Sequence, residues 1–362
     1  MFGRTRYLEW AGRHYGKVRF DLASSGMPTV PLAELGDWDA ATLSNPSGWS
    51  DLREAVARYN DVPREEAIAA LGTTHALWLA CASLVLPGDD VLVEDPAYEP
   101  LLRIAEGAGA RVLRFAREPK EGFALDPDRI ARAMTPRTKV VVVTDLHNPS
   151  GVRAGKDALR AVARVAEASG AFLLVGEVYA PFDQLVDDTG VFRGSSRKLA
   201  PNVIAASSLT KCYGLGPLRA GWLLGPPEIV ARAEAAVMAT CGMLPLAHAH
   251  LALRAFDKIG DLAERARGVL AGKRERVAAW ATANGWSWSA PESGLFGFAS
   301  LPGRGDLTSL IEAAALEREV LVAPGSFFGI ANGFRVAWSA PVGVLDEGLS
   351  RLTEALRRPE RE

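Results

Sequence analysis

The chain has 362 residues, of which 48% are hydrophobic and 23% are charged, and its formal net charge is -2. This balance is typical of a globular protein with a large core and about two domains. The near-neutral charge argues against binding to nucleic acid or to an anionic membrane surface. We therefore expect a protein that acts on small molecules.

The cysteines, the histidines and the apolar runs indicate which kinds of site and which locations are not expected. The three cysteines, Cys81, Cys212 and Cys241, lie far apart in sequence and predict neither a disulfide framework nor a zinc site. The five histidines form no ligand motif, so we expect no metal. The charged N-terminal segment lacks a signal-peptide core, and the longest apolar run, 76–86, is too short to span a bilayer. These features predict a cytoplasmic protein.

Helical and strand patterns alternate from about residue 50 to residue 225. Helices are predicted over 52–59 with Ser50 as the N-cap, over 76–85, and over 159–166 with Gly170 as its stop. Short apolar strands are predicted at 91–93, 111–115, 140–144, 172–175 and 203–206. Alternating elements of these lengths predict an α/β fold, with a mostly parallel sheet covered by helices on both faces.

The pattern changes after Gly225 and predicts a second, smaller α+β part. Long helical stretches at 229–240 and 262–283 precede strands at 295–299, 320–322 and 334–338, with helices at 307–318 and 345–357. We predict a large domain over 40–250. The small domain combines 1–39 with 251–362.

Polar residues follow the predicted strands or precede the predicted helices. Gly72, Thr73 and Thr74 precede the apolar helix, where free N–H groups favour an anion, although a plain N-cap is the alternative. Further polar residues directly follow four of the strands, namely Tyr98, Asn148, Tyr179, Ser208, Thr210 and Lys211. Because ligands bind at the carboxyl ends of parallel strands, we expect these side chains to form one site.

These segments resemble the motifs of a known family. GTTHAL, DPAYEP, HNPSG, GEVY, SLTKCYGLGPLRAGW and GFRVAWS look like those of the fold-type I aminotransferases of class I and II, which use pyridoxal 5'-phosphate. The resemblance covers nearly the whole chain in the family's order. Its most specific part surrounds Lys211, with a serine three residues before it, a glycine three after it and an arginine eight after it.

The resemblance implies a role for each matching residue. Lys211 would form the internal aldimine with the cofactor and then move the substrate proton as general base and acid. Tyr179 and Asn148 would hydrogen-bond the O3' oxygen of the cofactor, and Tyr98 would stack on its ring. The implied phosphate ligands are Gly72, Thr73, Thr74, Ser208 and Arg219. The implied substrate-binding residues are Arg335, which would grip the α-carboxylate, Gly26 and Asn148.

One position departs from the family pattern. The family's tetrad that ends in Tyr179 usually begins with an aspartate that keeps the pyridine nitrogen protonated, and here it begins with Gly176. Glu177 should face away from the ring, because strand side chains alternate. Three hypotheses remain: Asp145 compensates, the nitrogen is unprotonated or bonded to water, or the activity has been lost or changed.

The resemblance thus predicts a homodimeric, pyridoxal-phosphate-dependent aminotransferase that acts on an α-amino acid and a 2-oxo acid. The alternative within enzymes is a lyase or cyclase on the same scaffold, because the N-terminal run LEWAGRHYGKVRFDLASSG resembles that of a cyclising relative. An alternative of another class is a cofactor-binding protein without transaminase activity, for which Gly176 is the main argument.

Overall fold

The structure, a computed structural model, describes residues 2–37, 39–182, 186–187 and 189–357. The α-helices are α1 Arg6–His14, α2 Ala40–Leu43, α3 Gly48–Asn60, α4 Thr73–Leu84, α5 Pro100–Gly107, α6 Pro127–Ala133, α7 Lys156–Ala168, α8 Pro227–Cys241, α9 Leu246–Asp257, α10 Ile259–Leu270, α11 Lys273–Ala283, α12 Thr308–Arg318 and α13 Val342–Leu356. The strands are β1 Phe20–Asp21, β2 Ala67–Leu71, β3 Asp90–Asp95, β4 Arg111–Ala116, β5 Thr138–Thr144, β6 Phe172–Gly176, β7 Val203–Ser208, β8 Ala220–Leu224, β9 Ser287–Trp288, β10 Phe296–Ser300, β11 Val320–Leu321, β12 Ala323–Pro324 and β13 Gly333–Ala337.

The largest sheet has seven strands in the order β2-β8-β7-β6-β5-β3-β4. Its strands are parallel except β8, which is antiparallel to both of its neighbours. Successive residues of β5 alternate between two hydrophobic clusters: Val140 and Val142 pack with α4 and α8, whereas Val141 and Val143 pack with α6 and α7. Helices therefore cover both faces, and the predicted fold class is confirmed.

All five strands predicted for this sheet are present, but β2 and β8 were not predicted. The sequence of β2, AIAAL, is rich in alanine, which has a low strand propensity. The sequence of β8, AGWLL, directly follows the loop that holds Lys211 and Arg219. The start of this short apolar run belongs to the motif that resembles the family, and no strand was predicted there. Both strands form through pairing with each other and, for β8, with β7.

Several helix predictions were wrong in their bounds. The helix predicted over 76–85 is α4, which already begins at Thr73, so Thr73 and Thr74 lie in its first turn. The helix predicted over 345–357 is α13, which begins at Val342. The helix predicted to start after Ser50 is α3, which already begins at Gly48. The single helix predicted over 262–283 is two helices, α10 and α11, separated by Ala271 and Gly272. Gly272 has φ +70, a left-handed conformation that a continuous helix cannot contain.

The N-terminal segment packs with the C-terminal part of the chain. β1 pairs in parallel with β11, and Phe20 shares a hydrophobic cluster with residues of α12 and α13. A separate four-stranded antiparallel sheet has the order β12-β13-β10-β9. Met27, Val30 and Leu35, however, belong to the hydrophobic cluster of the large sheet, so the grouping of 1–39 with 251–362 stays a prediction. The boundary near residue 250 stays a prediction, since the cluster of the large sheet continues through α9 to Ala266.

The register of the parallel strands sets the position of the site. Thr144 of β5 pairs with Gly176 of β6, which in turn pairs with Ala206 of β7. These strands therefore end at nearly the same level, and the residues that follow them meet at one edge of the sheet. Across the described parts of the chain, no helix is both long enough and apolar enough to span a membrane.

Candidate active site

A cavity of about 270 Å³ lies at the carboxyl ends of β3, β5, β6 and β7. Its described lining consists of Tyr7, Leu8, Ala11, Tyr15, Ser25, Thr73, Thr74, Leu77, Tyr98, Leu101, Thr144, Asn148, Gly176, Val178, Tyr179, Thr210, Lys211 and Arg219. Eight of the residues predicted from the sequence are in this lining. The structure therefore brings together side chains from loops that are distant in sequence. Gly72, Ser208, Arg335 and Gly26 stand directly behind or beside them.

The N-terminus of α4 and Arg219 form a cradle for an anion. No side chain caps this helix end, so its first N–H groups point outwards without a side-chain acceptor. Thr73 Oγ1 donates a hydrogen bond to Ser208 Oγ (2.9 Å), which lies 2.7 Å from Thr210 Oγ1. A Cβ at Gly72 would lie 2.6 Å from Arg219 Nη2, so only glycine allows the guanidinium to approach.

The charge of Arg219 is not neutralised within the described chain. Its hydrogen bonds to the carbonyl oxygens of Leu71 and Gly216 are both long, at 3.5 Å. None of the ion pairs between described residues involves Arg219. A guanidinium beside hydroxyl groups and free helix N–H groups fits a phosphate monoester.

The Lys211 side chain reaches into the same cavity from the loop after β7. Its Nζ lies 3.5 Å from Ser25 Oγ. Loss of hydration in the cavity lowers the pKa of Lys211 to about 8; Tyr7 opposes this shift, whereas Arg335 and Arg219 add to it. Lys211 therefore has a substantial fraction of nucleophilic free base near neutral pH.

Three further side chains shape the wall opposite this lysine. Tyr179 is buried and its ring contacts the ring of Phe296 edge-to-face, with 4.8 Å between centroids. Burial raises the pKa of Tyr179 and of Tyr98, so both phenols remain neutral and can donate a hydrogen bond. Asn148 is buried, and its Oδ1 accepts a hydrogen bond of 2.7 Å from Arg335 Nη1.

Arg335, on β13, is a buried cation with one unpartnered nitrogen. It is 1% exposed, and its Nη2 donates to Tyr7 Oη at 2.7 Å and to the Ala23 carbonyl oxygen at 3.0 Å. Its Nε has no hydrogen-bond partner among the described residues. A buried guanidinium without a carboxylate partner is costly, and a bound ligand carboxylate would provide one. Gly26 lies nearby, where a Cβ would be 3.8 Å from Lys211 Cδ.

Helix α1 contributes residues that the sequence reading missed. Tyr15 Oη donates to the Ala23 carbonyl oxygen at 3.0 Å and lies 2.7 Å from Tyr7 Oη. Because Tyr15 donates its one hydroxyl hydrogen to Ala23, Tyr7 is the donor between the two phenols. The hydrogen bonds therefore run in one direction, from Arg335 through Tyr7 and Tyr15 to the backbone. The sequence feature that could have indicated a buried helix face here is the helical spacing of Tyr7, Trp10 and Ala11, which are the buried residues of α1.

The structure does not support compensation by Asp145 for the missing aspartate at Gly176. Asp145 Oδ1 accepts a hydrogen bond of 2.9 Å from Ala154 N, and Asp145 is absent from the described lining of the cavity. Glu177 also faces away, because its carboxylate accepts from Ser195 Oγ (2.9 Å) and Ser196 N (2.8 Å). Burial raises the pKa of Glu177 to about 7. The described lining thus contains no aspartate or glutamate.

Comparisons with known proteins agree with this geometry. The family model described as aminotransferase class I and II matches residues 36–352. Capreomycidine synthase from Streptomyces vinaceus is 32% identical, over 96% of this chain and 92% of that protein. Aspartate/prephenate aminotransferase from Thermus thermophilus is 30% identical, over 86% of this chain and 83% of that protein. The structure of the PLP-dependent cyclase OrfR superposes with a TM-score of 0.85 at 24% identity, covering 99% of this chain and 98% of that one.

The cradle at α4 predicts that inorganic phosphate stabilises the protein. Phosphate at a hundred times its dissociation constant should raise the free energy of unfolding by about 2.7 kcal/mol, because it binds only the folded state. Arg219→Met should abolish most of this gain in chemical denaturation. The control is Arg276→Met, which removes an exposed arginine paired with Asp346 and should retain the gain. Full stabilisation in Arg219→Met would contradict the assignment of the cradle.

The lowered pKa of Lys211 predicts an unusual pH dependence of its reactivity. At about pH 7.5, roughly a quarter of Lys211 is the free base if its pKa is about 8, against about a thousandth for an ordinary lysine. Its labelling by a small aldehyde with borohydride trapping should rise with pH and level off above pH 8. Peptide mapping by mass spectrometry follows each lysine separately. A Lys211 rate that keeps rising to about pH 10, as expected for exposed lysines, would contradict the burial argument.

Proposed function

The chain belongs to the class I and II aminotransferases, whose cofactor is pyridoxal 5'-phosphate, and we propose that it transfers an amino group between an α-amino acid and a 2-oxo acid. The observation that carries the proposal is the position of Lys211. Its amine, with a pKa near 8, shares one cavity with the anion cradle of α4, and Arg335 lies directly behind Asn148 of the cavity wall. An amine, a phosphate site and a carboxylate site are what this reaction requires.

The described residues fit the cofactor. The α4 N-terminus, Thr73, Ser208 and Arg219 would hold its phosphate, and Tyr98 lines the cavity where an aromatic face is needed for its ring. Tyr179 and Asn148 would hold its phenolic oxygen. When bound, the cofactor supplies an aldehyde carbon for the amino group and a ring that withdraws electrons from the substrate Cα.

Lys211 would be both the attachment point and the catalytic base. As a free base, its Nζ would take the proton from the substrate Cα. Ser25, 3.5 Å from Nζ, orients the amine. The aromatic and aliphatic residues of α1 exclude water from the side of the cavity that faces the small sheet.

Arg335 would bind the substrate α-carboxylate. Asn148 and Tyr7 each hold one terminal nitrogen of its guanidinium, and this fixes the plane in which the carboxylate approaches. The unpartnered Nε provides a donor for one carboxylate oxygen. Charge-assisted hydrogen bonds in a buried setting favour a substrate that carries this carboxylate over an amine without one.

A cyclase or lyase on the same scaffold is the second candidate. Two observations favour it: the similarity to capreomycidine synthase extends over 96% of this chain, and Gly176 removes a carboxylate from the cavity. Both candidates use Lys211 in the same way for the first proton transfer. They differ in what happens to the substrate side chain afterwards. The cytoplasmic location stays a prediction from the sequence.

We also infer that two copies of the chain associate through the face formed by α3 and α8. Met238 and Met243 are 68% and 64% exposed there, beside a groove lined by Trp49, Ile68 and Leu244. Large exposed apolar side chains clustered on one face are typical of an interaction surface. A twofold contact would bury this face on both copies.

Single-turnover product analysis distinguishes the two candidate reactions. The protein loaded with pyridoxal 5'-phosphate is mixed with a panel of α-amino acids, and the products are measured by mass spectrometry. Stoichiometric release of a 2-oxo acid is the outcome expected for transamination. Lys211→Ala should lower the rate at least about a hundredfold, because the base is lost, whereas Lys120→Ala removes an exposed lysine and serves as the control.

A cyclised or eliminated product without 2-oxo acid would overturn transamination in favour of the second candidate. The absence of turnover with every amino acid would refute both candidates and leave a cofactor-binding role.

The association of two copies is tested by sedimentation. The wild type should sediment as a dimer, and Met238→Glu combined with Met243→Glu should shift it to the monomer, because two charges per chain would be buried in the contact. Leu316→Glu is the matched control, since Leu316 is 83% exposed on α12, away from this face. A wild-type monomer, or an unchanged dimer in the double variant, would refute this interface.

A further inference from the structure

Arg335, the residue proposed to bind the substrate carboxylate, does not itself belong to the described lining of the cavity. It is 1% exposed, whereas its two side-chain partners, Tyr7 and Asn148, are both part of that lining. These two side chains therefore stand between the guanidinium and the cavity. A substrate carboxylate can reach Arg335 only if one of its present partners yields.

The edge of the guanidinium that carries Nε and Nη2 is suited to a carboxylate. These two nitrogens share one side of the planar group, and a carboxylate that binds side-on accepts one hydrogen bond from each. Nε has no partner among the described residues. Nη2 donates to Tyr7 Oη at 2.7 Å and to the Ala23 carbonyl oxygen at 3.0 Å, while Asn148 holds Nη1, outside this edge. At this edge, only Nη2 is thus occupied by acceptors of the described chain.

Of the two partners of Nη2, the phenol of Tyr7 is the one that can leave. The Ala23 carbonyl belongs to the backbone and also accepts a hydrogen bond of 3.0 Å from Tyr15 Oη, while Ala23 N donates to Asp21 Oδ1 at 2.9 Å. Tyr7 Oη, by contrast, ends a side chain that lines the cavity. It can leave Arg335 and still keep its hydrogen bond of 2.7 Å to Tyr15 Oη.

The phenol and a carboxylate compete for the same donor. Tyr15 gives its one hydroxyl hydrogen to Ala23, so Tyr7 gives its own to Tyr15 and offers Arg335 only a lone pair. A carboxylate oxygen is also an acceptor, so the two groups exclude each other as partners of one N–H group. The carboxylate carries a full negative charge and neutralises the buried guanidinium, which a phenol does not.

On the basis of the proposed function, we propose that the substrate α-carboxylate displaces the Tyr7 hydroxyl from Nη2 of Arg335. One carboxylate oxygen takes the free Nε, and the other takes the place of Tyr7 Oη. Tyr7 therefore closes the carboxylate site in the free protein and yields to a ligand with a full negative charge. An amide or ester carbonyl is neutral, as the phenol is, and gains little by the exchange. The site thus selects free α-carboxylates over their amides and esters.

Removal of the Tyr7 hydroxyl tests this competition by the sign of its effect. The protein loaded with pyridoxal 5'-phosphate is titrated with glycine, which carries the α-carboxylate without a side chain, and the dissociation constant is measured by calorimetry. Tyr7→Phe should lower this constant about tenfold, because a competing hydrogen bond to a charged group is removed. If Tyr7 only positioned the guanidinium, the same variant would bind glycine more weakly. An unchanged or raised dissociation constant in Tyr7→Phe would overturn the proposal.

Two controls separate competition from a general loosening of the protein. Tyr59→Phe removes a hydroxyl from another buried phenol pair, Tyr59 and Tyr213, whose oxygens are 2.6 Å apart and which lies outside the described lining. It should leave the dissociation constant of glycine unchanged. Methylamine, which is glycine without its carboxylate, should bind the wild type and Tyr7→Phe equally. Tighter glycine binding in Tyr59→Phe as large as in Tyr7→Phe, or equally tightened methylamine binding in Tyr7→Phe, would contradict displacement.

Arg335→Met, together with the attachment of the cofactor to Lys211, distinguishes this inference from the proposed function. Attachment is measured in the same samples by borohydride reduction and peptide mapping. If Arg335→Met loses glycine binding while Tyr7→Phe does not tighten it, displacement of Tyr7 is refuted alone and the proposed function stands. Unchanged glycine binding in Arg335→Met, or no glycine binding by the wild type, would overturn the carboxylate site at Arg335. Absence of attachment in the wild type would overturn the proposed function and this inference with it.

Discussion

The hydrogen bonds of Arg335 join three parts of the chain that are far apart in sequence. Its guanidinium, on a strand of the C-terminal sheet, contacts Asn148 at the edge of the large sheet and Tyr7 of α1, 328 residues away. These hydrogen bonds matter because an unpaired buried charge is strongly destabilising, and they satisfy both terminal nitrogens of the guanidinium while Nε stays without a described partner. Residues from all three parts of the chain therefore define the geometry around Arg335.

Local patterns predicted the centre of the large sheet and most of the site. The apolar runs of β5, β6 and β7 are recognisable as buried strands, and residues that follow them line the cavity. What could not be predicted depends on contacts between distant residues. The alanine-rich β2 becomes a strand by pairing with β8, and Tyr7 enters the site through contacts with Arg335 and with Glu99, whose Oε2 accepts a hydrogen bond from Tyr7 N. No short-range pattern encodes such pairings.

The substitution of glycine at 176 has a different meaning once the neighbouring strand is known. On the sequence alone, the glycine means that the carboxylate expected beside the pyridine nitrogen is missing. In the structure the side chain nearest to a Cβ at 176 is Thr144, and its methyl carbon Cγ2 faces this position at 3.3 Å, whereas its hydroxyl is bonded to Glu94 and to Asn148 N. No carboxylate of the described lining takes the place of the missing one.

Transamination and cyclisation share the Cα proton transfer, so the groups that choose between them have to contact the substrate beyond Cα. In the proposed function, Lys211, Arg219 and Arg335 would bind parts that both reactions have in common. Part of the remaining wall comes from α1 and the loop after it, namely Tyr7, Leu8, Ala11, Tyr15 and Ser25. This part offers hydroxyl groups and small apolar surfaces, and the described lining of the cavity holds no carboxylate that would pair with a cationic side chain. The first 25 residues, which lie outside the range 36–352 matched by the family model, therefore contribute side chains to the part of the cavity where the two candidate reactions would differ.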